Sequence, residues 1–268
     1  MYTEIEFENL SEESRDLIIA SLEEKAEGFE ETDNALKAIF LSDQYDENLV
    51  RSVAQAYDLS FRKKEIEAQN WNALWESNFD PVVVDDFVAI RASFHQPVKN
   101  VAHEIVITPK MSFGTGHHAT THLMIRRMRQ IDFRNKSVFD FGTGTGILAI
   151  LAHRLGALQV TANDIDDWSI ENARENFESN GAAPIQLLKS DSAELGAQFD
   201  VILANINRNV LIDNMPALAN QLNKNGLLIL SGILEADQEI IKKEALSNGL
   251  KPVDMTSRSH WICLGFER

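Results

Sequence analysis

Cysteine is almost missing from this 268-residue chain: Cys263 stands alone, so neither a disulfide framework nor a thiolate metal site is available. Long apolar runs are missing too. None approaches the roughly 18–20 residues of a membrane span, so no membrane partner is expected. The opening Met-Tyr-Thr-Glu-Ile-Glu has neither a basic region nor an apolar stretch, and no signal peptide is read there. Together these absences predict a soluble, cytoplasmic protein. Basic residues are in the minority, 25 Lys and Arg against 41 Asp and Glu, for a net charge of −16. The deficit concentrates at one end: residues 1–65 hold 17 acidic and 7 basic side chains, a balance of −10, and the remainder only −6. A phosphate backbone wants clustered Lys and Arg, so direct contact with nucleic acid is not expected. Two accounts fit the acidic end. Complementary charge would speed the docking of a basic partner; equally, acidic side chains keep a small domain soluble.

What the chain does hold is a glycine cluster, Asp140-Phe141-Gly142-Thr143-Gly144-Thr145-Gly146. Residues 138–141 are apolar apart from Asp140, which suits a buried strand. From Ile147 the period changes: Ile147, Ile150, Leu151 and Leu155 recur at three- and four-residue spacing up to Gly156, the pattern of a helix. A glycine turn between a parallel strand and a helix lets a ligand reach bare backbone, and the helix N-terminus adds unpaired N–H groups. The next apolar run, 160–162, leads to Asp164, which is 22 residues beyond Gly142. An acid at the tip of the second strand is placed to accept hydrogen bonds from both hydroxyls of a ribose. This reads as a nucleoside-cofactor site. It is not a dinucleotide site. That fingerprint needs its third glycine three residues after the second, where Ile147 stands; here the third glycine is Gly146. Gly-x-Gly-x-Gly behind a carboxylate, Asp140, instead resembles motif I of the Rossmann-like S-adenosylmethionine-dependent methyltransferases. That cofactor carries an ammonium and a sulfonium, which a nearby carboxylate favours.

In chain order, residues 1–66 read as a small α+β domain. Its elements are a strand over 3–7, a helix capped by Ser11 with Glu12 and Glu13 in its first turn, and strands over 29–32 and 37–41 around a turn at 32–35. A helix opened by Asp46 and a strand over 61–66 complete it. That order is ferredoxin-like. Residues 67–100 read as a connection: a short helix with Trp71 and Trp75 on one face, which packs a domain junction, then a strand over 81–90. Residues 101–268 carry the glycine turn. Ahead of it, 106–108 reads as strand, followed by Phe113-Gly114-Thr115-Gly116, a loop able to close over a ligand, and by a helix from near Thr120. His118 and His122 have metal-ligand spacing. No Glu follows in the zinc-hydrolase pattern and no third ligand is near, so no metal is expected. Strands at 186–188, 201–204 and 227–230 then alternate with helices; the one marked by Leu211, Met215, Leu218 and Leu222 is expected to break or re-start around Pro216. Residues 253–256 and 261–266 close the sheet as an antiparallel hairpin.

Five stretches together resemble the PrmA family of bacterial ribosomal protein L-eleven methyltransferases. They are Phe113-Gly114-Thr115-Gly116-x-His118-x-Thr120-Thr121, the run from Asp140 to Ile150, Asn163-Asp164-Ile165-Asp166, Ala204-Asn205-Ile206 and Leu230-Ser231-Gly232-Ile233-Leu234. The likeness runs motif by motif over roughly residues 65–268, and over the first 65 in size and expected fold alone. Thr143, Thr145, His117 and Ala119 depart from the residues commonest in the family. The resemblance implies a Rossmann-like, seven-stranded methyltransferase sheet with an antiparallel C-terminal hairpin, plus the ferredoxin-like domain over 1–66 as the substrate-recognition part. It implies S-adenosylmethionine as cofactor and ribosomal protein L-eleven, a basic protein, as substrate, modified on lysine or N-terminal amines by a monomer. For the cofactor it implies Gly142 and Gly144 at the turn, Asp164 on the ribose, Thr121 at the amino-acid end, Phe113 in the closing loop, and Asn205 bordering the site. An acid at Asp191 commonly receives the adenine amine in this class; the residue would serve equally as a cap for its own turn. Asn205 is also the expected catalytic residue. The acceptor amine must be neutral to attack, whereas a free lysine has a pKa of about 10.4. The Asn205 amide oxygen can accept its N–H bonds and aim the lone pair, and a desolvated pocket would lower the lysine pKa. Two other readings stand beside this one: a same-fold methyltransferase acting on another protein or a small amine, and a non-catalytic adaptor holding the nucleoside as a structural ligand.

Overall fold

The computed structural model describes residues 2–8, 10, 18–19, 21–22, 25–31, 35–57, 59–66, 80–109 and 116–268. The Ser11 cap with Glu12 and Glu13, most of the 32–35 turn, the tryptophan helix and the Phe113 loop fall outside the described residues. The chain divides into two compact units, Met1–Phe79 and Asp80–Arg268.

In the first unit, β1 (Tyr2–Glu8), β2 (Gly28–Glu31), β3 (Ala35–Leu41) and β4 (Phe61–Ile66) form an antiparallel sheet in the order β2-β3-β1-β4. Alternation along β1 buries Thr3, Ile5 and Phe7 on one face and leaves Glu4 and Glu6 on the other. The apolar face is covered by Ile18 and Leu22 and by α1 (Glu47–Ala56), which contributes Val50, Val53 and Ala54. Asp46 opens α1 by accepting the N–H groups of Asn48 and Leu49 at 2.9 and 3.3 Å. The strand order is that of the ferredoxin-like fold.

The second unit begins with β5 (Val82–Val84) and β6 (Val88–Ala92), an antiparallel hairpin, and β7 (His103–Ile107), parallel to β6. The single strand expected over 81–90 is therefore two. Asp85 takes φ +52°, a left-handed conformation that aspartate tolerates, and turns the chain back on itself. Seven strands follow: β8 (Ser137–Phe141), β9 (Gln159–Asp164), β10 (Gln186–Lys189), β11 (Phe199–Asn205), β12 (Leu222–Leu234), β13 (Lys251–Arg258) and β14 (Trp261–Glu267). Their order is β10-β9-β8-β11-β12-β14-β13, parallel except for β14, which runs antiparallel to both its neighbours. Ser259 and His260, both at positive φ, make the tight β13–β14 turn. The helices are α2 (Ala119–Met128), α3 (Ile147–Arg154), α4 (Asp167–Ser179), α5 (Arg208–Asn220) and α6 (Gln238–Ser247).

Pro216 does not break α5, contrary to expectation. Proline removes one main-chain hydrogen bond, but Leu211, Met215 and Leu218 are fully buried in the core beneath it and hold the helix through that gap. Leu222 is the first residue of β12 and not a helical one. Among the described residues, no helix is long and apolar enough to cross a membrane. The winding matters most for function. From β8 the chain moves outward to β9 and β10, then returns to β11 on the other side of β8. In open α/β sheets, ligands sit beyond the C-terminal strand ends at such a reversal.

Candidate active site

The C-terminal ends of β8, β9 and β11 lead to four of the expected site residues, Gly142, Gly144, Asp164 and Asn205. Between β8 and α3, Gly142, Gly144 and Gly146 have φ of +71°, +55° and +82°, which other residues adopt only with strain. A Cβ on Gly142 would stand 2.8 Å from Ile206 Cδ1, and one on Gly146 would overlap the Phe177 ring. The Gly146 N–H closes the turn on the Thr143 carbonyl at 2.9 Å, and Gly146, the N-cap of α3, has no side chain to cap it, so of the first-turn N–H groups Asp140 takes that of Ala149. Bare main chain at a helix N-terminus is the result.

Asp164, half-buried at the tip of β9, is held against this turn. Its Oδ2 accepts the Gly144 N–H at 2.8 Å and its Oδ1 the Asp166 N–H at 3.2 Å. The preceding Asn163 is fully buried and ties three strand ends together. Its Oδ1 accepts from Gly142 N–H at 3.4 Å, while its Nδ2 donates to the carbonyls of Ser190 and Ser192 at 3.1 and 3.0 Å. That last loop carries Asp191, which is exposed.

Asp140 lies beneath the turn, only 1% exposed. Its Oδ2 accepts the Thr143 hydroxyl at 2.6 Å and the Ala149 N–H at 3.2 Å. A charge so far from water would be unfavourable; burial pushes its carboxyl up to about 7, the nearby Asp164 adds to this, and the two hydrogen bonds oppose it. The sequence reading put this carboxylate near the cofactor; in the structure Asp140 is buried and bonded to Thr143 and Ala149. The raised value sets the sign of a pH effect. Between the ordinary 3.8 and about 7 the folded chain keeps a proton that the unfolded chain has lost. The group's contribution to stability is thus complete below the lower value and disappears as pH rises through the upper one. Asp140→Asn keeps an acceptor oxygen without a charge. Its Tm should exceed that of the wild type at pH 8, with the gap shrinking steadily toward pH 5; melting curves across that range would show it, and a constant gap would contradict it.

β11 carries Asn205 at its C-terminal end, opposite Ser231 of β12. Asn205 Nδ2 donates to Thr121 Oγ1 at 3.4 Å, which joins the end of β11 to the first turn of α2. Thr121 is buried. With the amide nitrogen engaged there, Asn205 Oδ1 takes no hydrogen bond among the described residues, and remains available to an N–H donor from outside. His118 starts α2: its Nδ1 accepts the Thr120 N–H at 3.4 Å and lies 2.8 Å from Thr120 Oγ1, while its ring meets Trp261 edge-on at 4.5 Å. Among the described residues, no group of three or more His, Cys, Asp or Glu is placed to hold a metal.

Gly142, Gly144 and Asp164 thus meet at the ends of β8 and β9, and Thr121 meets Asn205 at the end of β11. The loop that carries Asp191 is tied to the glycine turn through Asn163, and Phe113 falls outside the described residues. Sequence reasoning gave no separate role to Asn163, Thr143 or Ile206. A polar residue closing the apolar run of β9 was the one local sign of Asn163. Ile206 has none: it is caught between Gly142 and Gly232, and only the fold brings those glycines to either side of it.

Residues 3–268 match the family model described as ribosomal protein L11 methyltransferase (PrmA). A ribosomal protein L11 methyltransferase of Porphyromonas gingivalis is 44% identical over 200 residues, 74% of this chain and 69% of the relative. One from Bacteroides fragilis is 36% identical over 265 residues, 96% of this chain and 95% of the relative. Among solved structures, a ribosomal protein L11 methylase from Lactobacillus delbrueckii subsp. bulgaricus is 34% identical with a TM-score of 0.65, covering 71% of this chain and 98% of its own.

Proposed function

The chain belongs to the ribosomal protein L11 methyltransferase family, and from that premise we propose that it methylates amines of ribosomal protein L11, on lysine side chains or the N-terminus, using S-adenosylmethionine. The observation that carries this reading is the juxtaposition of two parts: a glycine turn with no room for side chains, and Asn205 with its amide oxygen available. The donor set fits an adenosyl group. Gly142 and Gly144 give bare backbone for close approach, and Asp164 supplies the carboxylate for the ribose hydroxyls. Asp191 would take the adenine amine, Thr121 the amino-acid end, and Phe113 the closing loop.

When bound, the cofactor supplies a methyl carbon activated by its sulfonium. The rest of the chemistry falls to positioning. Asn205 Oδ1 accepts an N–H of the incoming amine and so aims its lone pair along the transfer axis; fixing that line is where most of the rate comes from. The Thr121 hydroxyl holds the Asn205 amide in the required flip. A desolvated pocket would disfavour a charged ammonium and favour the neutral amine that can react. Residues 1–66, with their acidic excess, would dock the basic substrate, 67–100 connect, and 101–268 perform the transfer, in the cytoplasm and as a monomer, without contact to nucleic acid or membrane. Incubation of the full chain with tritiated S-adenosylmethionine and isolated L11 should place label on L11, at lysine or N-terminal positions in the mass spectrum. Absence of label on L11 would overturn the proposal.

A further inference from the structure

Asparagines recur at 172, 176 and 180, four apart along α4 and its C-cap, so three amides line one face. Asn172 and Asn176 are 0% exposed. A buried amide is unfavourable unless its hydrogen bonds are made, and these are made to the main chain of β7 and of the residue after it. Asn180 Nδ2 donates to the Val106 carbonyl at 2.6 Å and its Oδ1 accepts the Val106 N–H at 2.9 Å. Two residues on, Asn176 Oδ1 accepts the Thr108 N–H at 2.7 Å and Asn172 Nδ2 donates to the Thr108 carbonyl at 3.0 Å. Pairing alternate residues in this way is what a neighbouring strand would do. β6 occupies the other edge of β7, and the amide column completes this one.

Asn176 reaches further than its two companions. Its Nδ2 donates at 2.8 Å both to Asn172 Oδ1 and to the Thr145 carbonyl, inside the glycine turn. Thr145 stands just ahead of Gly146, the N-cap of α3, so its carbonyl lies outside the helical ladder, and the Ala149 N–H is a first-turn donor with no intrahelical acceptor. The Ala149 N–H goes to Asp140 Oδ2. Two buried side chains thus hold the turn from either side, Asp140 at the Ala149 N–H and Asn176 at the Thr145 carbonyl. Gly144 and Gly146 flank the carbonyl that Asn176 holds.

We propose that Asn176 is a positioning residue for cofactor binding: by fixing the Thr145 carbonyl it sets the conformation of the glycine turn, so cofactor affinity depends on this side chain. The inference rests on the reading of that turn as the S-adenosylmethionine site. Calorimetric titration of S-adenosylmethionine into the full chain, with melting temperatures, tests it in three proteins. Asn176→Asp keeps the oxygen for Thr108 and replaces the donor with an oxygen facing the Thr145 carbonyl. Its Kd should rise about tenfold or more, as replacing a buried hydrogen bond with two oxygens facing each other implies. Asn180→Ala loses bonds to β7 but none to the turn; its Tm should fall while its Kd stays within about twofold of wild type. If Asn176→Asp does not fold, Asn176→Ser, neutral and smaller, is read in the same titration and should show the same rise. A wild-type Kd in the Asn176 variant, with a lowered Tm as in Asn180→Ala, overturns this proposal alone. No binding by the wild type overturns the cofactor reading and this proposal with it.

Discussion

Gly232→Ala should be the most damaging single-methyl change in the second unit. Gly232 has φ +86°, which alone makes an alanine unfavourable by about 1–2 kcal/mol. The larger effect is steric. The added Cβ would overlap the Ile206 carbonyl oxygen and stand 2.7 and 2.8 Å from the Ile206 carbonyl carbon and nitrogen. These are main-chain atoms, which cannot swing aside as a side chain can. Either β12 or the end of β11 must move, and Ile206 directly follows Asn205. The expected result is a fall in Tm of roughly 6–12 °C, taking a total loss of about 3 kcal/mol over a domain of this size, together with loss of methyl transfer. Gly181→Ala is the matched control. It has φ +65° but nothing within 4 Å of its new Cβ, so only the backbone penalty applies. A Gly232→Ala protein as stable and active as Gly181→Ala would show that the packing of Ile206 between the two glycines does not matter.

Asn205→Ala should produce the largest change in rate with little change in stability. Among the described residues the side chain makes one hydrogen bond, a long one to Thr121 at 3.4 Å, so its removal should lower stability by about 1 kcal/mol at most. If Oδ1 aims the attacking amine, kcat should fall roughly 100- to 1000-fold, the scale on which misplaced reacting groups and lost oriented hydrogen bonds act. KM for L11 should change little, because most of the contact with a protein substrate lies elsewhere. Steady-state kinetics with purified L11 separates the two. A drop confined to KM would recast Asn205 as a binding residue, and a kcat within about threefold of wild type would remove it from the chemistry.

Much of this arrangement was readable in advance because it is written in local period and spacing. The strand at 138–141, the helix from Ile147 and the acid at Asp164 follow from alternation, three- and four-residue recurrence and a fixed separation. The ferredoxin-like order of the first unit follows from turn residues between short apolar runs. The misreadings have physical causes. Val82 to Ile90 looks continuous because its apolar residues dominate, yet Asp85 can turn left-handed and split it. Pro216 looks like a break because its missing N–H is visible in the sequence, whereas the burial that compensates for it is not. The asparagines at 172, 176 and 180 have helical spacing, but a polar stripe at that spacing ordinarily faces water. What makes them structural is their bonding to Val106 and Thr108, 64 to 74 residues away, and no local pattern carries that information. Asp140 shows the same limit. Its place before the glycines marks it as part of the turn, but only the packed structure shows it fully covered and bonded to Thr143 and Ala149.

The most direct measurement is a calorimetric titration of S-adenosylmethionine into the wild-type chain and into Asp164→Ala, with a nicotinamide dinucleotide as the comparison ligand. The account predicts that wild type binds the sulfonium compound, that Asp164→Ala binds it about 100-fold more weakly through loss of two charge-assisted hydrogen bonds, and that the dinucleotide gives no heat. Equal affinity in the two proteins, or tight binding of the dinucleotide, would contradict it.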